Sequence, residues 1–167
     1  MTPKASIYPI NRASNAALMS KITHSTPRRP ADLKGVSLLH KLRDRKDIDI
    51  LMACGLPRGE MPAWYHEIDI YVCTSRAEGT PLPLLEAMAS GKIVITTSVG
   101  IVPEISSTGV FVFDGTVHGL TSELQQVILR RKQWEWLGLE NRKYVMSHRA
   151  APIVARKLRG FLWDSGV

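Results

Sequence analysis

Cysteine is scarce in this chain, and the signature strings of several common enzyme classes are missing. The two cysteines, Cys54 and Cys73, each fall inside an apolar, strand-like run and have no metal-ligand spacing with each other or with a histidine. They read as reduced core residues of a cytoplasmic protein, and nothing in the pattern calls for a metal. No Walker loop, no Gly-x-Gly-x-x-Gly and no Gly-x-Ser-x-Gly occurs, which argues against P-loop chemistry, the standard dinucleotide fingerprint and a serine hydrolase. Aromatic residues make up 7% of the chain, and none is interleaved with the basic clusters Arg130-Arg-Lys132 and Arg156-Lys-Leu-Arg159. Those clusters therefore read as solvated helix faces and not as a nucleic-acid surface. No apolar run approaches the length of a membrane span, and Met1-Thr-Pro-Lys-Ala-Ser lacks the apolar centre of a signal peptide. Internal repeats and low-complexity tracts are also lacking.

What is present is enough apolar material for one core: 44% hydrophobic residues in 167. The formal net charge of +7 attracts polyanions, a class that includes nucleotide diphosphates, acidic lipid surfaces and nucleic acid, without choosing among them. Residues 1 to 18 read as an irregular entry segment or linker and residues 19–167 as the domain. Within it, strand patterns at 21–25, 48–54, 68–74, 93–95 and 110–113 alternate with helical ones. The helices are expected at 35–45, 60–67 with Trp64 facing inward, 83–90, a stripe through Leu120, Leu124, Val127 and Ile128 with Thr121 as a cap, 133–147 and 151–163. Trp134, Trp136 and Trp163 are assigned to packing. The five histidines show no ligand spacing, and His24 reads as a strand residue. Such alternation implies an α/β fold with a doubly wound parallel sheet.

The chemistry concentrates in Ser75-Arg-Ala-Glu-Gly-Thr-Pro-Leu-Pro-Leu-Leu-Glu-Ala-Met-Ala-Ser-Gly91. Glu78 and Glu86 stand there with seven residues between them, one on each side of a helix start. Glu78 lies just past the carboxyl end of a buried strand, where ligands of open α/β sheets bind. Pro83 favours the first helical position, so a helix from Pro83 leaves the N–H groups of Leu82, Leu84 and Leu85 without intrahelical partners. Such a terminus attracts phosphate. Glu86 lies one turn on, in an otherwise apolar helix, and a buried carboxylate there needs donors. The cis-diol of a ribose offers two; a plain glutamate favoured by the helix dipole is the other reading.

Together with Lys92-Ile-Val-Ile-Thr-Thr-Ser-Val-Gly-Ile-Val-Pro-Glu-Ile105, this segment resembles the donor-binding domain of retaining family 4 glycosyltransferases, the group 1 glycosyl transferases with the two-domain GT-B architecture. The matching residues are Ser75, Glu78-Gly79, Glu86-Ala-Met-Ala-Ser-Gly91, Ile93 to Ile95 and Gly100-Ile-Val-Pro-Glu104. The resemblance covers Thr74 to Ile105 and implies a Rossmann-like domain, a single half of GT-B. It implies that Glu86 holds the ribose hydroxyls, that the N–H groups of Leu82 and Leu84, with Gly79 and Thr80 beside them, meet the diphosphate, and that Glu78 holds hydroxyls of the donor sugar. In the family an arginine and a lysine six residues apart, the lysine followed by glycine, clamp the diphosphate. Here Lys34-Gly35 fits the second half and Arg28 the first, although Pro27 replaces the usual glycine and Arg29 is an alternative. Gly55-Leu-Pro-Arg-Gly-Glu-Met61, with Leu56, lies where the family grips the base, in a stretch shorter than usual.

The resemblance thus implies a UDP-, GDP- or ADP-linked sugar as donor substrate and no required cofactor. Leaving-group charge would be offset by Arg28, Lys34 and the helix terminus. The acceptor-binding half has no counterpart in these residues, so an N-terminal acceptor domain in the intact protein or on another chain is the expected partner. Acidic membrane lipids are a further candidate contact, for a cytoplasmic protein that visits the membrane periphery. Two alternatives remain open: a non-catalytic binding or assembly module that keeps the fold, and an epimerase-like domain, for which no acid/base residues are found.

Overall fold

The computed structural model describes residues 6–10, 19–24, 34–54 and 56–155. Two strands show how the sequence builds the frame. In Ile70–Cys73 and Ile93–Thr97 every residue is buried, and neighbours alternate between two cores. Ile70, Val72, Ile93 and Ile95 join one cluster, while Tyr71, Cys73 and Val94 join the other. A strand apolar on both faces must be covered on both, and only a sheet between two helical layers does this.

The sheet has six strands: β1 (Ser6–Ile10), β2 (Met19–His24), β3 (Asp49–Cys54), β4 (Ile70–Cys73), β5 (Ile93–Thr97) and β6 (Val110–Phe113), in the order β1-β3-β2-β4-β5-β6. β2 to β6 are parallel, with Ser20 beside Ile70, Ile70 beside Ile93 and Val94 beside Val110. α1 (Val36–His40) and α4 (Val117–Leu129) cover one face through Leu39, Leu120, Leu124 and Val127. α2 (Met61–His66), α3 (Leu82–Ala89) and α5 (Trp134–His148) cover the other through Trp64, Leu84, Met88 and Val145. The α/β, doubly wound, Rossmann-like reading is therefore correct.

The chain passes from β2 outward to β3, then crosses back to β4 on the other side of β2. Strand order reverses between β2 and β4, and the crevice beyond their carboxyl ends is where such sheets take ligands. At the opposite, amino-terminal end, α5 is fastened to the sheet by Asn141, which is fully buried. Its Nδ2 donates to the carbonyls of Lys92 at 2.8 Å and Gly109 at 2.9 Å, and its Oδ1 accepts from Ser107 Oγ at 2.6 Å.

Four expectations change. Ser6–Ile10 is not irregular: it pairs antiparallel with β3, because an outer strand with open backbone groups accepts a further partner, and Pro9 is tolerated on such an edge. α1 ends at His40, and the chain continues in turns through Leu42, which still reaches the core, into the charged run from Arg43 to Asp47. The cap of α4 is Thr116, which accepts from Gly119 N at 3.0 Å, and Thr121 lies inside the helix. Trp136 is not packed but 52% exposed, since α5 turns Leu137, Asn141 and Val145 inward.

Candidate functional site

Lys34 enters the crevice because Gly35 lets the backbone turn there. Gly35 has φ 61°, and a Cβ at this position would lie 2.2 Å from the carbonyl oxygen of Thr74. Only glycine fits so close an approach in the left-handed region. The Thr74 hydroxyl donates to the Lys34 carbonyl at 2.6 Å, which ties the entry to α1 to the end of β4. The Lys34 side chain, 8% exposed, thereby reaches Glu78, 16% exposed, and the two form an ion pair. At that burial the pair is not a surface contact: each charge depends on having a partner.

Glu78 is held by a second close approach. Gly100, in the loop after β5, has φ 53°, and a Cβ there would lie 1.8 Å from the carbonyl oxygen of Gly79 and 3.0 Å from that of Glu78. The glycine of Gly-Ile-Val-Pro-Glu104 thus seats one loop directly on the other. The buried hydroxyl of Thr97 donates to the Ser75 carbonyl between the same strand ends. Glu104 is anchored from α5 by Arg149 Nη2 at 3.0 Å, and the Tyr144 hydroxyl donates to its carbonyl at 3.1 Å. These contacts explain why a serine, two glycines and a Pro-Glu belong to one motif although they are distant in sequence.

α3 follows, and here the structure corrects the sequence reading. The helix starts at Leu82 with Pro81 as its cap residue, so Pro83 is at the second position and not the first. Leu82 N donates to Thr80 O at 2.8 Å, while Leu84 N and Leu85 N donate to Pro81 O at 3.0 and 3.3 Å. The three N–H groups read as free are therefore engaged, because the Thr80-Pro81 turn folds its carbonyls back onto the first turn. A phosphate would have to displace local acceptors to use the Leu82 and Leu84 donors.

Glu86 is half-buried one turn into α3. Its Oε2 accepts from the Tyr65 hydroxyl at 2.9 Å, and the same hydroxyl lies 3.1 Å from Pro83 O. Tyr65 is 2% exposed and packs edge-on against Trp64, with ring centroids 5.1 Å apart. Burial first, then the neighbouring Glu86 charge, push the Tyr65 hydroxyl far above its ordinary pKa, so it stays protonated and donates. The sequence reading missed Tyr65: it expected one inward ring on this short helix, at Trp64, whereas both adjacent aromatics are buried.

Of the other expected residues, Gly79 and Thr80 are exposed on the loop between Glu78 and α3, and Leu56 is half-buried against the second core. Arg28 and its alternative Arg29 lie outside the described residues. Lys34 and Glu78 are brought together, and Glu86 pairs with Tyr65. Among the described residues no group of three or more His, Cys, Asp or Glu side chains stands ready for a metal, and no helix is long and apolar enough to cross a membrane.

Known proteins resemble this chain in sequence or in fold. A lipopolysaccharide core biosynthesis mannosyltransferase of Rhizobium meliloti is 43% identical over 49 residues, covering 29% of this chain and 14% of the relative. Among solved structures, a sucrose-phosphate synthase of Thermosynechococcus elongatus superposes with a TM-score of 0.66 at 20% identity, over 87% of this chain and 37% of the synthase. The C-terminal domain of a group 1 glycosyl transferase of Francisella tularensis gives 0.64 at 21% identity, over 78% of this chain and 84% of that domain. A mutant TarM of S. aureus, solved with fondaparinux, α-GlcNAc-glycerol and UDP, gives 0.67 at 13% identity, over 89% of this chain and 36% of TarM. The chain thus spans well under half of the two longer enzymes and most of the isolated domain. A family model described as glycosyl transferases group 1 matches residues 27–130, more than half of the sequence. With the glycine-seated loops and the two carboxylates in place, the chain belongs to the group 1 glycosyl transferase family.

Proposed function

We propose that this chain is the donor-binding half of a retaining glycosyltransferase and takes a nucleotide-diphosphate sugar in the crevice between β2 and β4. The observation that carries this reading is the set of charged side chains at the carboxyl edge, beside the reversal of strand order: Lys34, Glu78 and, on the following helix, Glu86. Glu86 accepts the two ribose hydroxyls. Lys34, held at the end of β4 by the bond from the Thr74 hydroxyl to its carbonyl, meets the diphosphate, and Glu78 turns from Lys34 to hydroxyls of the sugar. As the glycosidic bond of the donor breaks, negative charge grows on the leaving diphosphate, and Lys34 with Arg28 offsets it. No metal is required in this scheme. Transfer needs an acceptor-binding domain, on the same polypeptide or another chain.

Isothermal titration with UDP, GDP and ADP tests the reading. One of the three is expected to bind, and the UDP in the TarM structure makes UDP the first to try. Silence with all three at millimolar ligand would overturn it. The engaged donors at Leu82 and Leu84, and a Lys34 already neutralised by Glu78, favour a second reading as a module that keeps the fold without transfer. Glu86→Ala separates the two: lost nucleotide affinity supports the donor site, and unchanged affinity in a folded protein supports the module.

A further inference from the structure

Among the described residues, Tyr65 is the hydrogen-bonding partner that the structure gives the Glu86 side chain, and it comes from a different element. A glutamate side chain on a helix turns about three bonds, so an unsupported carboxylate would sample many orientations. To accept two parallel bonds from a cis-diol it must present both oxygens in one plane. Fixing that plane in advance removes an ordering cost from binding. Tyr65 can do this because it is itself fixed: its ring is buried beside Trp64, its neighbour on α2, in the second core.

We propose that Tyr65 is a positioning residue that orients the Glu86 carboxylate and thereby sets the preference of this site for ribonucleotides over deoxyribonucleotides. The inference rests on the donor-site reading above. The hydroxyl has one proton and two acceptors within reach, Glu86 Oε2 at 2.9 Å and Pro83 O at 3.1 Å. The carboxylate is charged and nearer, so it takes the larger share of that proton. Because the donor is uncharged, it orients Glu86 without neutralising it. The remaining lone pairs of both oxygens stay available to the two sugar hydroxyls. A lysine or arginine in the same place would compete with the sugar for the carboxylate charge.

The test compares wild type with Tyr65→Phe, which keeps the ring and removes the hydroxyl. Each is titrated with the nucleotide that binds wild type and with its 2′-deoxy counterpart. Wild type is expected to prefer the ribonucleotide, and Y65F to lose about tenfold in ribonucleotide affinity while deoxynucleotide affinity stays within about twofold. The same substitution placed on Glu86→Gln should have little further effect, since the two residues act as a unit. Preserved discrimination in Y65F, an equal loss for both sugars, or additive losses on E86Q would each overturn the proposal. If wild type binds no nucleotide, the donor-site reading itself fails, which is a different result from binding without discrimination. Should Y65F not fold, the wild-type protein still decides. A slowly exchanging Tyr65 hydroxyl proton should be visible by NMR and shift on adding the ribonucleotide but not the deoxy form, and a signal indifferent to both would overturn the proposal.

Discussion

The two ends of the sheet bury polar groups in opposite ways. At the amino end, neutral Asn141 engages its amide with three partners, two of them backbone carbonyls that cannot leave. At the carboxyl end, beside hydroxyls such as those of Thr74 and Thr97, a charged pair is taken out of water, and Lys34 and Glu78 meet through long side chains that a ligand can part. A neutral, saturated group adds stability and specifies where α5 docks. A charged pair adds little net stability, because desolvation offsets attraction, yet it keeps both charges ready for exchange. The difference sets a fastened end of the sheet apart from an exchangeable one without reference to any motif, and it supports the proposed placing of the site.

The sharpest way to break that contrast is to remove the neutral anchor. Asn141→Leu should cost about 3 kcal/mol, because two backbone carbonyls and the Ser107 hydroxyl lose their partner in a fully buried place. Urea denaturation measures it, and the nucleotide affinity of the folded protein should not change. A cost below about 1 kcal/mol would mean that the anchor is not structural. At the other end, Glu78→Gln should cost about 2 kcal/mol by leaving Lys34 without its counter-charge, whereas Lys34→Met with Glu78→Gln should recover most of that. The double variant is expected to be stable and unable to bind nucleotide, which would separate stability from function at this end.

The smallest effect concerns pH. Because the Tyr65 hydroxyl is raised above its unfolded value, mainly by burial, the folded state holds that proton where the unfolded chain releases it. The stability this contributes is complete below about pH 10, the ordinary tyrosine value, and is lost as pH rises beyond it. An ultraviolet titration of wild type should show less tyrosine ionisation before unfolding than its four tyrosines would give in the unfolded chain. In Tyr65→Phe that silent group should be gone and the alkaline loss of stability shallower. Equal folded-state ionisation in wild type and Tyr65→Phe, apart from the one tyrosine removed, with Tyr65 titrating before unfolding, would remove the basis for calling this hydroxyl protected.

Much of the frame was legible because it rests on periodicity. Ile70–Cys73 and Ile93–Thr97 read as buried strands from their β-branched and aromatic residues, and burial on both faces required helices on both sides. Glu78 and Glu86 could be placed around a helix start for the same local reason. The start itself was misplaced by one residue, since Pro81 and Pro83 both suit a helix entrance and only the folded turn shows which carbonyls bend back. β1 was not legible because Ser6–Ile10 is a strand only where β3 offers it an edge.

The sequence by itself determined the parallel α/β frame, the family and the residue types at the carboxyl edge, since strand alternation and motif spacing are local properties of the chain. Tertiary structure alone decided the partners: Lys34 with Glu78 across 44 positions, Tyr65 with Glu86 across 21, and Gly100 against Gly79. Contacts of that kind depend on strand order and helix seating. No local pattern encodes these, because the free energy that fixes them is shared among all the residues of the two cores.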